Sequence, residues 1–476
     1  WGERAELAHV CRLTMAIAMV SMLREGDGTP DFLPPSFPAG ERAAMRPRTD
    51  QSVDEPGWGP LARYIIAATL ARTSDGGAVV AIVLMVTAGG GPGWLAGALG
   101  ACITAPHLLG PFVARRLDTA RDGRTVIAAA SLAHGTALAA AVLLYPHTHP
   151  AVPAVLLVVS GLFGPLLTGG ISSRLPAIAG HGQRRQRRAQ GWDVATYGIS
   201  GTVGPTLVAA LAAWASPATA ALTLAAGCFI AAAVIRFLPY APAPGKAADV
   251  PRPIRTLTSI LASGPLRRTL YMTVTVAFSV AALPIAAVAS TSALGVSASA
   301  AGLLTAAYGL GNLAGSAGVM IRPSRTEADR LTTRLAAVVG ATLLLTTLAP
   351  SFPLALAAYA AAGIANAYFF AATLAARSEY APDNARGQIF VWVGALKITA
   401  GSAGTAAAGA LIGTSLLLPL LLATGLTLTA TLLSSAERHH HRRRDPHPDL
   451  PLPKAPQSEQ TTRAPDTGRT GGHAST

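Results

Sequence analysis

Long apolar runs separated by short polar connections make up most of the chain. The runs consist largely of Ala, Leu and Val, and each has about 18 to 25 residues, the length of a helix that crosses a bilayer. Twelve runs are predicted, near 61–87, 94–114, 125–145, 151–173, 191–214, 218–238, 269–290, 297–320, 332–349, 353–375, 388–411 and 414–434. The pattern predicts an all-α polytopic membrane protein with twelve transmembrane helices.

The connections between the runs differ in charge. The odd-numbered connections, such as "TAGGGPG" and "PHTHP", contain no Lys or Arg, whereas every even-numbered connection contains arginine. Because Lys and Arg are retained on the cytoplasmic side of membrane proteins, we expect the even connections and both termini to lie in the cytoplasm. Scarce lysine beside abundant Arg, Ala, Gly and Pro suggests GC-rich coding and therefore a bacterial inner membrane.

The longest connection divides the runs into two sets of six. The expected organisation is a cytoplasmic N-terminal tail at 1–60 with Met45 as a candidate start, a first half at 61–238, a central cytoplasmic loop at 239–268, a second half at 269–434 and a disordered cytoplasmic tail at 435–476. The segment "AGALGACITAPHLLG" at 96–110 aligns with "AGLLTAAYGLGNLAG" at 301–315, and the same offset pairs Gly182 with Gly387 and Gly204 with Gly409. An internal parallel repeat of this kind is typical of many secondary transporters.

Composition narrows the class of protein further. A hydrophobic content of 51% and a mean hydropathy of +0.43 exclude an ordinary soluble protein. The net charge of +14 comes from arginines placed between the apolar runs, as topology requires, so nucleic-acid binding is not predicted. The three cysteines are scattered and show no CxxC spacing, so we predict no disulfide framework, no metal site and no cofactor.

Ionisable residues inside an apolar run are costly and therefore mark a functional or structural pairing. Asp75, in the middle of run one, is predicted to exchange a proton, or else to form a structural ion pair with Arg72 one turn earlier. Lys397, inside run eleven, has no acid in its own run, so its partner is predicted to come from another helix, from substrate or from water, or else its side chain extends towards the cytoplasmic surface. His107 on run two is either a proton relay or a hydrogen-bonding packing residue, and Asp193 is expected in the first turn of run five, where it would stabilise the helix N-terminus.

Two further motifs stand out. The stretch "GPFVARRLDTARDGRTV" at 110–126 is predicted to form a cytoplasmic gate in which Asp118 or Asp122 pairs with arginines in one conformational state. The gate residues are Gly110, Arg115, Arg116, Asp118, Asp122 and Arg124. On run five, Gly201, Gly204 and Pro205 clear one helix face and permit a bend, so they predict either a hinge or ordinary tight packing.

Twelve runs, a central loop and this charged stretch resemble the major facilitator superfamily, particularly its bacterial efflux-like branches. In that family the stretch carries an Asp and a second Gly where this chain has Ala114 and Leu117, and "ARDGR" supplies the end of the motif, so the motif looks split by an insertion. The family's drug/proton antiporters also carry a Gly pair on span five where Val208 and Ala209 stand here. Their arginine on span four is missing from 151–173.

The resemblance places spans one and eleven near a central cavity, which makes Asp75 a candidate partner of Lys397 across the two halves. It also implies a secondary active transporter rather than an enzyme. The leading prediction is proton-coupled export of small amphiphilic molecules by alternating access, by a monomer whose partners are a small-molecule substrate, protons and the lipid bilayer. Proton-coupled uptake of a small nutrient is the nearest alternative. An intramembrane enzyme is more distant, because neither paired membrane aspartates nor a Ser with a base in register is convincing. The sequence has no GxxxxGK[ST] loop, so ATP is not predicted to drive transport within this chain.

Overall fold

The computed structural model describes residues 58–180, 182–241, 247–297 and 300–444, and within these ranges the chain is helical and contains no strand. Most of the predicted N-terminal tail and the end of the C-terminal tail lie outside the described residues. Sixteen α-helices carry labels here. They are α1 (Trp58–Ala88), α2 (Gly93–Thr104), α3 (Gly110–Thr119), α4 (Gly123–Leu144), α5 (Ala151–Pro165), α6 (Leu175–Ala179), α7 (Gln183–Trp214), α8 (Pro217–Arg236), α9 (Pro253–Ala262), α10 (Gly264–Val280), α11 (Leu283–Ser290), α12 (Ala301–Ile321), α13 (Ala328–Leu348), α14 (Phe352–Tyr380), α15 (Arg386–Ile412) and α16 (Leu418–Arg444).

Eleven helical segments of the described chain are long and apolar enough to cross a membrane. They account for every predicted run except the eighth, at 297–320. That run forms a helix of 21 residues, Ala301–Ile321, but its glycines and Asn312 reduce its hydropathy. The all-α polytopic fold predicted from the apolar runs is therefore confirmed.

Several spans are interrupted or longer than predicted. A 3₁₀ turn at Ala105–Leu109 joins α2 to α3, and a π turn at Leu166–Gly170 follows Pro165 at the end of α5. Pro lacks the amide that a regular helix needs, which explains a change of helix type at this point. The last helix, α16, continues to Arg444, so the first ten residues of the predicted tail are helical.

Small residues bring the helices into close contact, and they do so in the same way in both halves. A Cβ on Gly161 of α5 would overlap the carbonyl oxygen of Ile103 on α2. In the second half, a Cβ on Gly363 of α14 would overlap the carbonyl of Tyr308 on α12. Ile103 and Tyr308 are separated by 205 residues, which is the offset of the sequence repeat. Because lipid supplies no hydrophobic drive between helices, such backbone contacts carry much of the packing.

The apolar cores follow the same division. One group of buried residues around Leu166 and another around Leu138 lie within the first half, and a third around Leu343 lies within the second half. Below, the side of the molecule that carries the even-numbered connections is called the arginine-rich side.

Candidate functional site

Arg72 and Asp193 form a buried ion pair between α1 and α7. The guanidinium Nη1 lies 2.7 Å from Oδ1 of Asp193, and both side chains are almost completely buried. The same Nη1 also donates to the backbone carbonyl of Asp193 and the hydroxyl of Thr196. Nη2 donates to the backbone carbonyl of Thr168 and the hydroxyl of Ser172. A charge-assisted network of this kind fixes both groups in place.

The Asp193 carboxylate is satisfied on both of its oxygens. The hydroxyl of Tyr64 donates to Oδ1 at 2.6 Å, and the hydroxyl of Ser172 donates to Oδ2 at 2.8 Å. The Arg72 guanidinium also lies over the ring of Tyr197, with Cζ 3.7 Å from the ring centroid. We call Tyr64, Arg72, Ser172 and Asp193 the satisfied cluster.

This cluster corrects two predictions. Asp193 is not in the first turn of its helix, because α7 begins at Gln183 and places Asp193 about 15 Å from the helix start at 1.5 Å per residue. Arg72 does not pair with Asp75, although the two lie one turn apart. Its guanidinium points instead to α7 and the π turn, where one carboxylate and several oxygens offer more partners than Asp75 alone.

Asp75 faces His107 instead. Oδ1 of Asp75 lies 3.5 Å from Nε2 of His107, with side-chain exposures of 11% and 4%. Within the described part of the chain, Oδ1 accepts no hydrogen bond. The other ring nitrogen of His107, Nδ1, lies 3.0 Å from the carbonyl oxygen of Ile103. A carbonyl only accepts, so Nδ1 must carry a proton there.

The protonation of Asp75 and His107 decides whether their contact is repulsive or attractive. With Nδ1 protonated, the Nε2 of a neutral imidazole presents a lone pair to the carboxylate, and the contact is repulsive. It becomes attractive when either the histidine or the carboxyl group gains one proton. One added proton therefore makes the facing groups of Asp75 and His107, which lie inside the predicted membrane region, attract each other.

Gly164 and His134 lie around this pair, and the sequence analysis singled out neither of them. Gly164 of α5 lies against it, and a Cβ there would come within 2.5 Å of both Oδ1 of Asp75 and Nε2 of His107. His134 of α4 is fully buried beside Ser160, whose carbonyl oxygen lies 3.1 Å from its Nδ1, while its Nε2 has no partner among the described residues. The signal for His134 was a histidine inside an apolar run, the same signal that singled out His107.

Lys397 shows no ion pair with Asp75 among the described residues, and it meets aromatic rings. Its Nζ is 3.5 Å from the ring centroid of Phe370 on α14 and 5.3 Å from that of Tyr197 on α7. The predicted contact with Asp75 is wrong, because Asp75 faces His107 within the first half. The π face of an aromatic ring stabilises an ammonium group without neutralising its charge.

Arg377 lies close to the same rings and was also missed. Hydropathy ends run ten at 375, but α14 continues to Tyr380 and Arg377 is only 2% exposed. Its guanidinium lies 5.8 Å from the ring centroid of Phe370 and 5.4 Å from that of Phe390, and it donates to the backbone and hydroxyl oxygens of Thr373.

The predicted gate stretch forms contacts of two kinds. Asp118 accepts hydrogen bonds from the backbone amides of Gly387 at 2.8 Å and Gln388 at 2.9 Å, which begin α15 in the other half. This carboxylate caps a helix N-terminus, where unpaired amides and the helix dipole favour a negative charge. A Cβ on Gly387 would come within 2.6 Å of Oδ1 of Asp118, so only glycine permits this approach.

Asp122, by contrast, contacts arginines of its own half. Its carboxylate lies 3.0 Å from Nε of Arg124 and 3.3 Å from Nη1 of Arg236. The hydrogen bonds with the Arg124 side chain lower the pKa of Asp122 to about 2. The prediction that Asp118 or Asp122 pairs with arginine thus describes the contacts of Asp122, while Asp118 binds backbone amides.

The remaining predicted gate residues have lesser contacts. Arg115 donates to the backbone carbonyl of Val250, and Arg116 is exposed. Gly110 lies against Pro165, where a Cβ would come within 2.6 Å of the proline ring. Within the described ranges, no group of three or more His, Cys, Asp and Glu side chains is arranged to hold a metal ion.

Comparison with known proteins finds similar folds but no similar sequence. No family model matches the sequence, and no curated protein matches it. Solved structures do match: the human organic anion transporter MFSD10 (TETRAN) aligns with a TM-score of 0.61 at 16% identity, over 79% of this chain and 99% of that one. A bacterial homologue of the iron transporter ferroportin in an outward-facing state aligns with a TM-score of 0.63 at 13% identity, over 80% and 99%. The major facilitator superfamily proton:xylose symporter XylE aligns with a TM-score of 0.59 at 13% identity, over 79% and 95%.

The chain has the major facilitator fold. On the arginine-rich side, the hydrogen bonds between its two halves include those from three places in the described residues. They are the Asp118 contacts with α15, those of Arg187 with Glu379 at 2.7 Å and with the carbonyl oxygen of Thr326, and that of Arg188 with the carbonyl oxygen of Met320.

The predicted hinge on α7 lies beside α1. A Cβ on Gly204 would meet the carbonyl of Thr73 at 3.1 Å, whereas a Cβ on Gly201 would meet none of the described atoms within 4 Å. Pro205 lies inside the helix. Gly204 thus serves close helix packing, and Gly201 faces open space.

Proposed function

We propose that the protein is a secondary active transporter that exports small amphiphilic molecules in exchange for protons. The fold supports transport, because each of the solved structures compared above belongs to a transporter. In this proposal the halves at 61–238 and 269–434 alternate around a central site, and the loop at 239–268 links them in the cytoplasm. The protein acts as a monomer in the inner membrane with both termini in the cytoplasm.

The observation that carries proton coupling is the contact between Asp75 and His107. The two groups lie 3.5 Å apart, inside the predicted membrane region, and one proton is needed to make their contact attractive. Gly76, the next residue of α1, is exposed, and a Cβ there would meet no described atom within 4 Å, so open space lies beside the helix at this level. Gain and loss of this proton would favour different arrangements of the two halves, which is how a proton gradient drives transport.

Alternating access requires contacts that break and form again. The capping of α15 by Asp118 and the ion pair of Arg187 with Glu379 join the halves on the arginine-rich side. A few polar contacts of this kind can be exchanged for water at moderate cost, unlike an apolar core. We propose that they close the cytoplasmic side when the protein opens to the other side.

The direction of transport is tested in everted membrane vesicles that are energised to an acidic interior. We expect at least one fluorescent amphiphile from a panel of anionic, neutral and cationic probes to accumulate in vesicles that contain the protein. Accumulation should vanish when nigericin collapses the pH gradient, and vesicles without the protein provide the control. Proton-driven accumulation in right-side-out vesicles alone would replace export by the uptake alternative. If no probe moves in either orientation, the proposal is wrong.

A further inference from the structure

The middle of the molecule contains more positive than negative charge. Arg72, Arg377 and Lys397 all approach the pair of rings formed by Tyr197 and Phe370, whose centroids lie 4.9 Å apart. The one carboxylate at this place belongs to Asp193, and Arg72 already occupies it.

Neither Arg377 nor Lys397 has a carboxylate within ion-pair distance in the described part of the chain. Arg377 reaches only oxygens of Thr373 on its own helix, and Lys397 meets rings. Arginine stays protonated in proteins, so the group carries at least one positive charge in excess, and two when Lys397 is protonated. Buried charge without a counter-charge is strongly unfavourable unless another group supplies one.

The two cations converge although they lie at different depths on their helices. Side chains on a helix lean towards its N-terminus. Because α14 ends on the arginine-rich side and α15 begins there, Arg377 leans into the molecule and Lys397 leans towards the arginine-rich side. Both therefore reach the ring of Phe370 from opposite directions.

Space lies beside Lys397 on the same face of α15. A Cβ on Gly394, three residues earlier, would meet no described atom within 4 Å, and a Cβ on Gly401, four residues later, would touch only a carbonyl oxygen at 3.9 Å. Lys397 and Tyr197 are themselves only partly buried. A ligand can thus approach the ammonium group, with aromatic rings beside it for an apolar body.

We propose that the transported substrate is an amphiphilic organic anion, an aromatic carboxylate in its simplest form, whose negative charge is held by Lys397 and Arg377. The inference rests on the proposed transport function and adds the charge of the substrate to it. Phe370 holds the two cations in place by cation–π contact, and the rings of Tyr197 and Phe370 pack against the apolar part of the substrate.

Three probes that share one ring system test the charge directly. They are 1-naphthylacetate, 1-naphthylacetamide and 1-(1-naphthyl)ethylamine, which are anionic, neutral and cationic at pH 7. Binding to the purified full-length protein is measured by microscale thermophoresis. We expect the anion to bind and the other two to bind at least about tenfold more weakly, since a hydrogen bond to a charged group contributes that much. Equal binding of the three probes, preference for the cation, or no binding of the anion would overturn the proposal.

Charge substitutions locate the site. Lys397→Gln should weaken binding of 1-naphthylacetate about tenfold or more, and Lys397→Arg should restore most of it. Arg377→Gln should act in the same direction, while Arg121→Gln, a change at an exposed arginine, should leave binding unchanged. Binding unaffected by both site variants in folded protein would place the anion elsewhere and contradict the assignment. A variant that does not fold leaves the three-probe comparison on the wild type as the deciding result.

Failure of this inference differs from failure of the transport proposal. Proton-driven export of the neutral or cationic probe alone would overturn the anion assignment and leave transport intact. Specific binding of the anion with no proton-driven movement of any probe would do the reverse.

Discussion

Asp193 and Asp75 are both buried acids of the first half, and they have opposite surroundings. Asp193 has a donor on each oxygen and a guanidinium at 2.7 Å, supplied by Tyr64 and Arg72 of α1 and by Ser172 after the π turn. Asp75 has an oxygen without any hydrogen bond in the described chain and one histidine at 3.5 Å. The two acids therefore differ in the number of fixed donors that hold their carboxylates.

The cations of the molecule show the same contrast. Arg72 is paired and hydrogen-bonded, whereas Arg377 and Lys397 meet rings and neutral oxygens. A charge that has its counter-charge and its hydrogen bonds holds helices together. A charge that lacks them is stabilised when a proton or a ligand of opposite charge binds. Stability and transport are therefore expected to depend on different residues of one buried network.

The largest effect is expected when the satisfied cluster loses its acid. Asp193→Asn should destabilise the protein by about 3–5 kcal/mol, because it leaves Arg72 buried without a counter-charge. Thermal unfolding of purified protein in detergent measures this effect. Asp75→Asn is the matched control and should change stability by less than about 1 kcal/mol, since no fixed cation depends on Asp75. Equal losses for the two variants would remove the distinction between them.

A methyl group placed between Asp75 and His107 disturbs their contact without changing the charge of either residue. Gly164→Ala should lower stability by about 1–3 kcal/mol and abolish proton-driven transport, because the new Cβ would overlap both side chains. Transport assays in proteoliposomes and thermal unfolding measure the two effects. Gly201→Ala, which adds a methyl group in open space, is the control. Full coupling in Gly164→Ala would show that the contact between Asp75 and His107 is not required.

A third acid, Asp118, extends the comparison to a contact between the halves. Asp118→Asn should weaken the closed arginine-rich side by about 1–2 kcal/mol, which changes the ratio of closed to open molecules by about 5- to 30-fold. Double electron–electron resonance between spin labels at Arg116 and Asp383 measures this ratio, in a background without native cysteines. Asp122→Asn is the control, because Asp122 contacts arginines of its own half. A distance distribution unchanged by Asp118→Asn would contradict the gate.

The smallest effect concerns the partly exposed Asp122. Its pKa is lowered to about 2 in the folded protein, against about 3.9 for an unfolded chain, so its pairing with Arg124 stabilises the protein above about pH 4. This contribution, under about 1 kcal/mol for an exposed pair, is lost as the pH falls from about 4 to about 2. The thermal midpoints of wild type and Asp122→Asn should therefore differ at pH 6 and converge near pH 2. A constant difference across this range would contradict the assignment.

The sequence predicted the helices well because hydropathy and arginine placement act locally along the chain. The repeat was also visible, since Ile103 and Tyr308 make equivalent contacts at the offset found in the sequence. Partners of charged residues were predicted poorly. One of the two alternatives for Asp75 paired it with Arg72, three residues away. The partner of Arg72 lies 121 positions along the chain, and only the packing of α1 against α7 brings the two together.

The Asp118 stretch shows what a sequence motif can predict and what it cannot. Its charge and its place between two spans predicted a gate, but not that its partners are backbone amides 269 positions away. Backbone donors leave no residue signature apart from Gly387, which the repeat paired with Gly182 without indicating a contact. Arg377 was missed because hydropathy ends a span at its first charges, whereas the helix itself continues to Tyr380.

Transport by Asp75→Asn in proteoliposomes tests the central claim, that the proton held by Asp75 and His107 couples the gradient to transport. The variant should exchange labelled substrate across the membrane at close to the wild-type rate, because its halves still alternate. It should fail to accumulate substrate when a pH gradient is imposed, because the exchangeable proton is gone. Accumulation at the wild-type level by Asp75→Asn would contradict the account.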